Sequence, residues 1–374
     1  MSEVPERLFR LFESRVYGQT FKHLSGWDMV GSVPSWPSID VNLTAEELSR
    51  YNYQNELPNG LVESTESAIR DHCARRYGTS FDEAELIITP GLSAAIALFV
   101  HTVARFGDTE LCLDPPYYFS YALLARALRL PVSNARRTID TLTDIAPIAD
   151  YLAARCASRR VLVLCDPRFI TGIDYSEREL CEIGSMLTKN DVLLIDHATD
   201  TRYGHALTVE TEATVVRMIG FGKPIALYGT RGAALIAPAN FVRSLRSNVG
   251  LLYGALDAAM LKLTRTIAES DDIYANAISE LRTYVDDAER SFCAAIRTPR
   301  FKIVKPINGF IGYGRVDLRN HSRYDFYRTL LNNGVHATFG GTFGLIQDLN
   351  EEIVRINFLL PCEPALRVIS AYLE

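Results

Sequence analysis

Gly220-Phe221-Gly222-Lys223-Pro224-Ile225-Ala226-Leu227-Tyr228-Gly229-Thr230-Arg231-Gly232 is the stretch that decides how this chain is read. It follows Thr214 to Ile219, a mostly apolar run that reads as a buried strand when bounded by glycine. The Gly-rich segment holds one lysine and, eight residues on, one arginine. A lysine amine forms a Schiff base with a carbonyl compound once burial or a neighbouring cation lowers its pKa. Arginine is the preferred bidentate partner of a phosphate. Lys223 and Arg231 can therefore hold the two ends of one molecule, an aldehyde and a phosphate. Taken alone, two cations on a surface loop are the commoner arrangement.

The surrounding chain shifts that balance. Val192 to His197 is an apolar run carrying Asp196 near its end, and the carboxyl ends of strands in α/β sheets are where ligands bind. An anion there can keep a pyridine nitrogen protonated, so that the ring accepts electrons. Pyridoxal 5'-phosphate is one molecule with such an aldehyde, phosphate and pyridine. Arg160 to Pro167 is a third apolar strand running into a turn that ends at Thr171-Gly172, and Ser176 with Glu179 marks a helix start. Gly91, Leu92 and Ser93 open an apolar helix whose free backbone N–H groups and dipole suit a phosphate. Tyr117 and Tyr118 offer flat faces to an aromatic ring. Arg355 lies inside a strand-like run from Ile353 to Phe358, facing either solvent or an anion in a cleft.

In this order the motifs resemble the aspartate aminotransferase superfamily of pyridoxal-phosphate enzymes, fold type I, class I/II. The resemblance covers roughly residues 46–374. It implies that Lys223 is the Schiff-base lysine, Asp196 the pyridinium partner, and Arg231 with Gly91, Leu92 and Ser93 the phosphate site. It implies further that Tyr118 stacks on the pyridine ring and that Arg355 grips a substrate carboxylate. Asp166 to Gly172 occupies the place of the family's Asn-Pro-x-Asn-Pro-Thr-Gly turn, with Phe169 where the second Asn belongs and Ile170 where Pro follows. Thr199 stands in place of a Tyr, Gly220 in place of a Ser, and His197 in place of a Glu. Losing the Asn and the Tyr removes two donors from the cofactor's phenolic oxygen, which raises the basicity of the Schiff base. The implied activity is an aminotransferase with an atypical amino-acid or amine substrate. A lyase, cyclase or replacement enzyme and a degenerate partner protein remain alternatives. The resemblance also implies a homodimer, in which Tyr51, Tyr53 and Asn59-Gly60 are candidates for reaching the partner's phosphate.

Composition fits such an enzyme. A chain of 374 residues buries a large core and favours one large and one smaller domain. The expected fold is α/β: an arm over 1–45, a large domain over 46–252 with a mostly parallel sheet flanked by helices, and a smaller α+β domain over 253–374. One long helical stretch is expected from about Ser247 to Ile296. In the arm, Trp36 is read as a packing anchor. A net charge of -6 gives no electrostatic case for nucleic acid or an anionic membrane. No apolar run is long enough to span a bilayer, and Met1 to Gln19 lacks an apolar signal core. The seven cysteines are scattered singly, without CxxC spacing, which points to a reduced, cytoplasmic setting. The seven histidines are equally dispersed, so no metal site is expected.

Overall fold

The structure is a computed structural model that describes residues 60–78, 85–154, 157–202, 209–227 and 231–374, and the backbone of Lys22–His23. Trp36, Tyr51, Tyr53 and Asn59 lie outside the described residues.

Strand β1, Lys22–His23, pairs in parallel with β11, Val335–His336. The main sheet contains β2 (Leu86–Thr89), β3 (Thr109–Leu113), β4 (Val132–Asn134), β5 (Arg159–Cys165), β6 (Val192–His197), β7 (Thr214–Gly220) and β8 (Ala233–Ile236). Their order is β2-β8-β7-β6-β5-β3-β4, and only β8 runs against its neighbours. Side chains alternate across these strands, so each face has its own cover. Leu111, Val161, Val163, Leu194 and Met218 share one core with helices α2 (Leu92–Val103) and α6 (Ala239–Leu252). On the opposite face, Leu162, Leu164 and Ile195 pack with α4 (Ala146–Ala153) and α5 (Glu177–Ser185). Near β2 and β8 that opposite face is covered by α1 (Leu61–Tyr77) and α7 (Ala258–Glu269). Each fully buried aliphatic side chain contributes about 1.5–3 kcal/mol, so this double cover is what holds the strand ends in register.

The expected helix over 247–296 is three helices: α6, α7 and α8 (Asp271–Ala295). Gly254, at φ 65, turns the chain after α6, and the Asp257 side chain caps α7 by accepting from the Met260 N–H at 2.9 Å. Ser270, at φ -108 and ψ 91, leaves helical geometry between α7 and α8. Beyond them, β9 (Phe301–Val304), β10 (Ile311–Asp317) and β12 (Glu351–Asn357) form an antiparallel sheet in the order β12-β10-β9. It packs with α9 (Arg323–Asn332) and α10 (Glu363–Leu373).

Candidate active site

β5, β6 and β7 are parallel and end together: Cys165 pairs with Asp196, and Asp196 with Met218. Past β7 the chain enters a tight turn, Lys223–Ile225, closed by Ala226 donating to the Lys223 carbonyl at 3.1 Å. This turn brings the Lys223 amine into a cavity of about 250 Å³ over the strand ends. The amine lies 4.9 Å from the centre of the Tyr118 ring. Burial lowers its pKa to about 8, against the opposing pull of Asp196 and with the help of the Arg355 charge.

Asp196 lines the same cavity. The Tyr121 hydroxyl donates to its Oδ2 at 2.9 Å, the Ala198 N–H donates to its Oδ1 at 2.9 Å, and the Cys165 sulfur stands 3.9 Å from Oδ2. Burial raises the pKa of this carboxyl, while Lys223 and the donors pull it down. Burial also holds the Tyr121 hydroxyl well above its ordinary pKa, so it stays a donor.

At the other end of the cavity α2 begins. Its N-cap, Gly91, has φ 96 and supplies no side-chain cap. The first-turn N–H groups of an α-helix have no partner within the helix, which makes this end an anion site. A side-chain carbon on Gly91 would lie 3.5 Å from Arg231 Cδ, so the arginine passes directly beside the helix start. Leu92, Ser93 and Arg231 line the cavity with it. Gly220 is not part of the lining; a side chain there would press on Leu92, 3.0 Å away.

Phe169 forms one wall, with Thr199 beside it. Its ring meets Tyr118 edge-on at 5.7 Å and Phe343 at 5.2 Å. Tyr117, by contrast, is buried away from the cavity. Ile170 has φ 61, rare for a β-branched residue. A proline cannot adopt that angle, so the exchange of Pro for Ile goes with a different turn. Arg202 braces the turn from below, donating to Asp166 at 2.8 Å and to Asp200 at 2.7 Å. His197 lies in this network, its pKa lowered by burial to about 4, and so is neutral. Arg355, on β12, is fully buried, and its guanidinium carbon is 5.8 Å from the Phe169 ring centre. It adjoins the cavity wall without being part of the lining.

Sequence reasoning did not single out Ile96, Cys165, Ala198, Leu227 or Gly232 of the lining, nor Tyr121 behind Asp196. Tyr121 had a signal, since it follows Tyr118 by one helical turn at the start of α3 (Ser120–Ala127). A wider open cleft of about 780 Å³ lies elsewhere. Arg315 there is held by Asp140 at 2.7 Å and Glu351 at 2.8 Å. Among the described residues no acid, His or Cys cluster suits a metal, and no helix is long and apolar enough to cross a membrane.

These residues fit pyridoxal phosphate: an amine of lowered pKa for the aldehyde, an uncapped helix with Arg231 for the phosphate, and a buried carboxylate held by two donors. The profile of the family described as "Aminotransferase class I and II" matches residues 30–368. Cystathionine beta-lyase PatB of Bacillus subtilis (strain 168) is 22% identical over 79% of this chain and 81% of its own length. The asparagine--oxo-acid transaminase of Streptococcus mutans is 21% identical over 85% and 83%. Other matches are shorter: the chain spans about half the length of YugH of Bacillus subtilis (strain 168), 28% identical over 55% of this chain and 54% of that one. The aspartate aminotransferase of Rhizobium meliloti has the same fold, with a TM-score of 0.72 at 17% identity over 99% of this chain and 96% of that one. A pyridoxal-phosphate-bound chain from Clostridium difficile 630 superposes with a TM-score of 0.67 at 17% identity, over 87% and 86%. With the profile matching nearly its whole length, the chain belongs to the class I and II aminotransferases, a family of pyridoxal-phosphate enzymes.

Proposed function

We propose that this protein is an aminotransferase that acts on an amino acid or related amine of unusual structure. The observation that carries the reading is the Lys223 amine, its pKa lowered to about 8, sharing one cavity with Asp196 and the Gly91–Arg231 phosphate site. When bound, pyridoxal phosphate supplies an aldehyde for the amino group and a ring that accepts electrons. Arg231 and the first amides of α2 hold the phosphate. Asp196, kept in place by Tyr121 and Ala198, holds the proton on the pyridine nitrogen. Lys223 would hold the cofactor's aldehyde and would move the proton at the substrate's α carbon, for which a pKa of about 8 suits it at neutral pH. Tyr118 and Phe169 keep water from the wall beside it, and Arg355 receives a carboxylate.

A second reading, elimination or replacement at the substrate's side chain, is favoured by Phe169, which brings no hydrogen-bonding group to the place of the Asn. The likeness to PatB over most of the chain supports it. In either case the protein is proposed to work as a cytoplasmic homodimer.

Borohydride reduction of the purified protein followed by peptide mapping tests the reading. The pyridoxyl group is expected on Lys223, among the six lysines of the chain; finding it elsewhere, or finding none after reconstitution, overturns the proposal. Arg355→Ala is expected to keep the cofactor and to lower kcat/KM for a carboxylated donor by roughly 2–4 kcal/mol.

A further inference from the structure

We propose that the site selects an amino donor with a flat, apolar side chain, of the aromatic amino-acid class, and that Phe169 sets this preference. The inference rests on the reading of the site as a pyridoxal-phosphate centre and adds its substrate class.

Aromatic rings line the way from the lysine to the arginine. Lys223 lies 4.9 Å from the Tyr118 ring centre, Tyr118 meets Phe169 at 5.7 Å, and Arg355 lies 5.8 Å from Phe169. Phe343 closes the far side of Phe169 at 5.2 Å. Phe169 meets both Tyr118, beside Lys223, and Arg355, so an amino acid with its nitrogen at Lys223 and its carboxylate toward Arg355 would lie against that ring. Leu92, Ile96 and Leu227 add aliphatic surface to the same cavity. Aromatic groups prefer such edge-to-face surroundings and gain from them beyond simple burial.

The charges give the same answer. Lys223 and Arg231 are the cations among the described lining residues, and both are taken by the cofactor, as is Asp196. Among the described lining residues no cation is left for a second carboxylate on the substrate, and a desolvated carboxylate is costly unless paired. An aspartate-like donor is therefore disfavoured, although aspartate aminotransferases share the fold.

The test is calorimetric titration of the holoenzyme with two unreactive carboxylates, 3-phenylpropanoate and succinate. The phenyl compound is expected to bind about tenfold more tightly or better. Phe169→Asn should bring the ratio below about threefold, chiefly by weakening 3-phenylpropanoate. Phe169→Leu, which keeps an apolar side chain without the ring, should fall between the two. Succinate binding as tightly as 3-phenylpropanoate, or a ratio unchanged in Phe169→Asn, would falsify the inference. The two readings separate cleanly: a pyridoxyl group on Lys223 with preference for succinate removes only the substrate class, whereas its absence from Lys223 removes both.

Discussion

Burial at Lys223 sets a pH at which this chain changes its reactivity. An exposed lysine amine titrates near 10.5, and here the value falls to about 8. Lowering it enlarges the neutral, nucleophilic fraction at every pH below that point. The rate at which apoprotein takes up pyridoxal phosphate should therefore climb roughly tenfold per pH unit below 8 and flatten above it. Following the growth of absorbance after mixing checks this; a rate still climbing tenfold per unit between pH 9 and 10 would show an unshifted amine. At this scale the sequence was legible where a residue sits near a strand end: Lys223 after β7, Asp196 near the end of β6 and Arg231 before β8 all line one cavity. It did not show which distant residue a given side chain meets. Nothing near Asp196 announces the Tyr121 hydroxyl, because only the sheet brings α3 over the end of β6. Ile170 is a subtler case. Its exchange for Pro was visible, but its left-handed backbone was not. For that reason Phe169→Asn alone does not rebuild the family's turn.

Among the elements, the start of α2 matters most to the cofactor. Gly91 at φ 96 lets the chain swing from β2 into the helix, and an L-residue there is strained whatever space surrounds it. Gly91→Ala is expected to lose about 1–2 kcal/mol of stability and to weaken the cofactor's affinity severalfold, since the amides shift away from the phosphate. Denaturant unfolding with and without pyridoxal phosphate reads both effects; equal affinity in the variant would place the phosphate elsewhere. Local signals foretold several elements well. Ser176 and Glu179 do form a reciprocal capping box at α5. The run from Ser247 to Ile296 misled because α6, α7 and α8 share one helical periodicity while the breaks between them are short. Gly254 and Ser270 are modest breakers on paper, and tertiary packing of α7 on α1 decides the direction of the chain between them.

For the whole molecule, the order of strands and helices was enough to give the α/β class, since alternation of apolar runs leaves few ways to cover both faces of a parallel sheet. How the chain assembles is a separate matter. The proposed homodimer should bury roughly 2,000 Å² or more and persist at micromolar concentration. Light scattering measures it, and a fully active monomer would remove the idea. One further property belongs to the chain as it is made. All seven strands of the main sheet are complete by Ile236, yet Leu86, Ile88, Ile219 and Ile236 pack against α7 and the start of α8, as far as Ile278. Thr264 of α7 even fills the space that a side chain at Gly232 would need. A ribosome that has delivered α6 has thus released a finished sheet whose β2–β8 end is covered on that face by α1 alone. At roughly 5–20 residues per second, another 1–5 s of synthesis passes before the residues that cover it exist. Throughout that interval the nascent chain offers a sticky apolar surface beside the future catalytic strands, and it is then that a chaperone has most to protect.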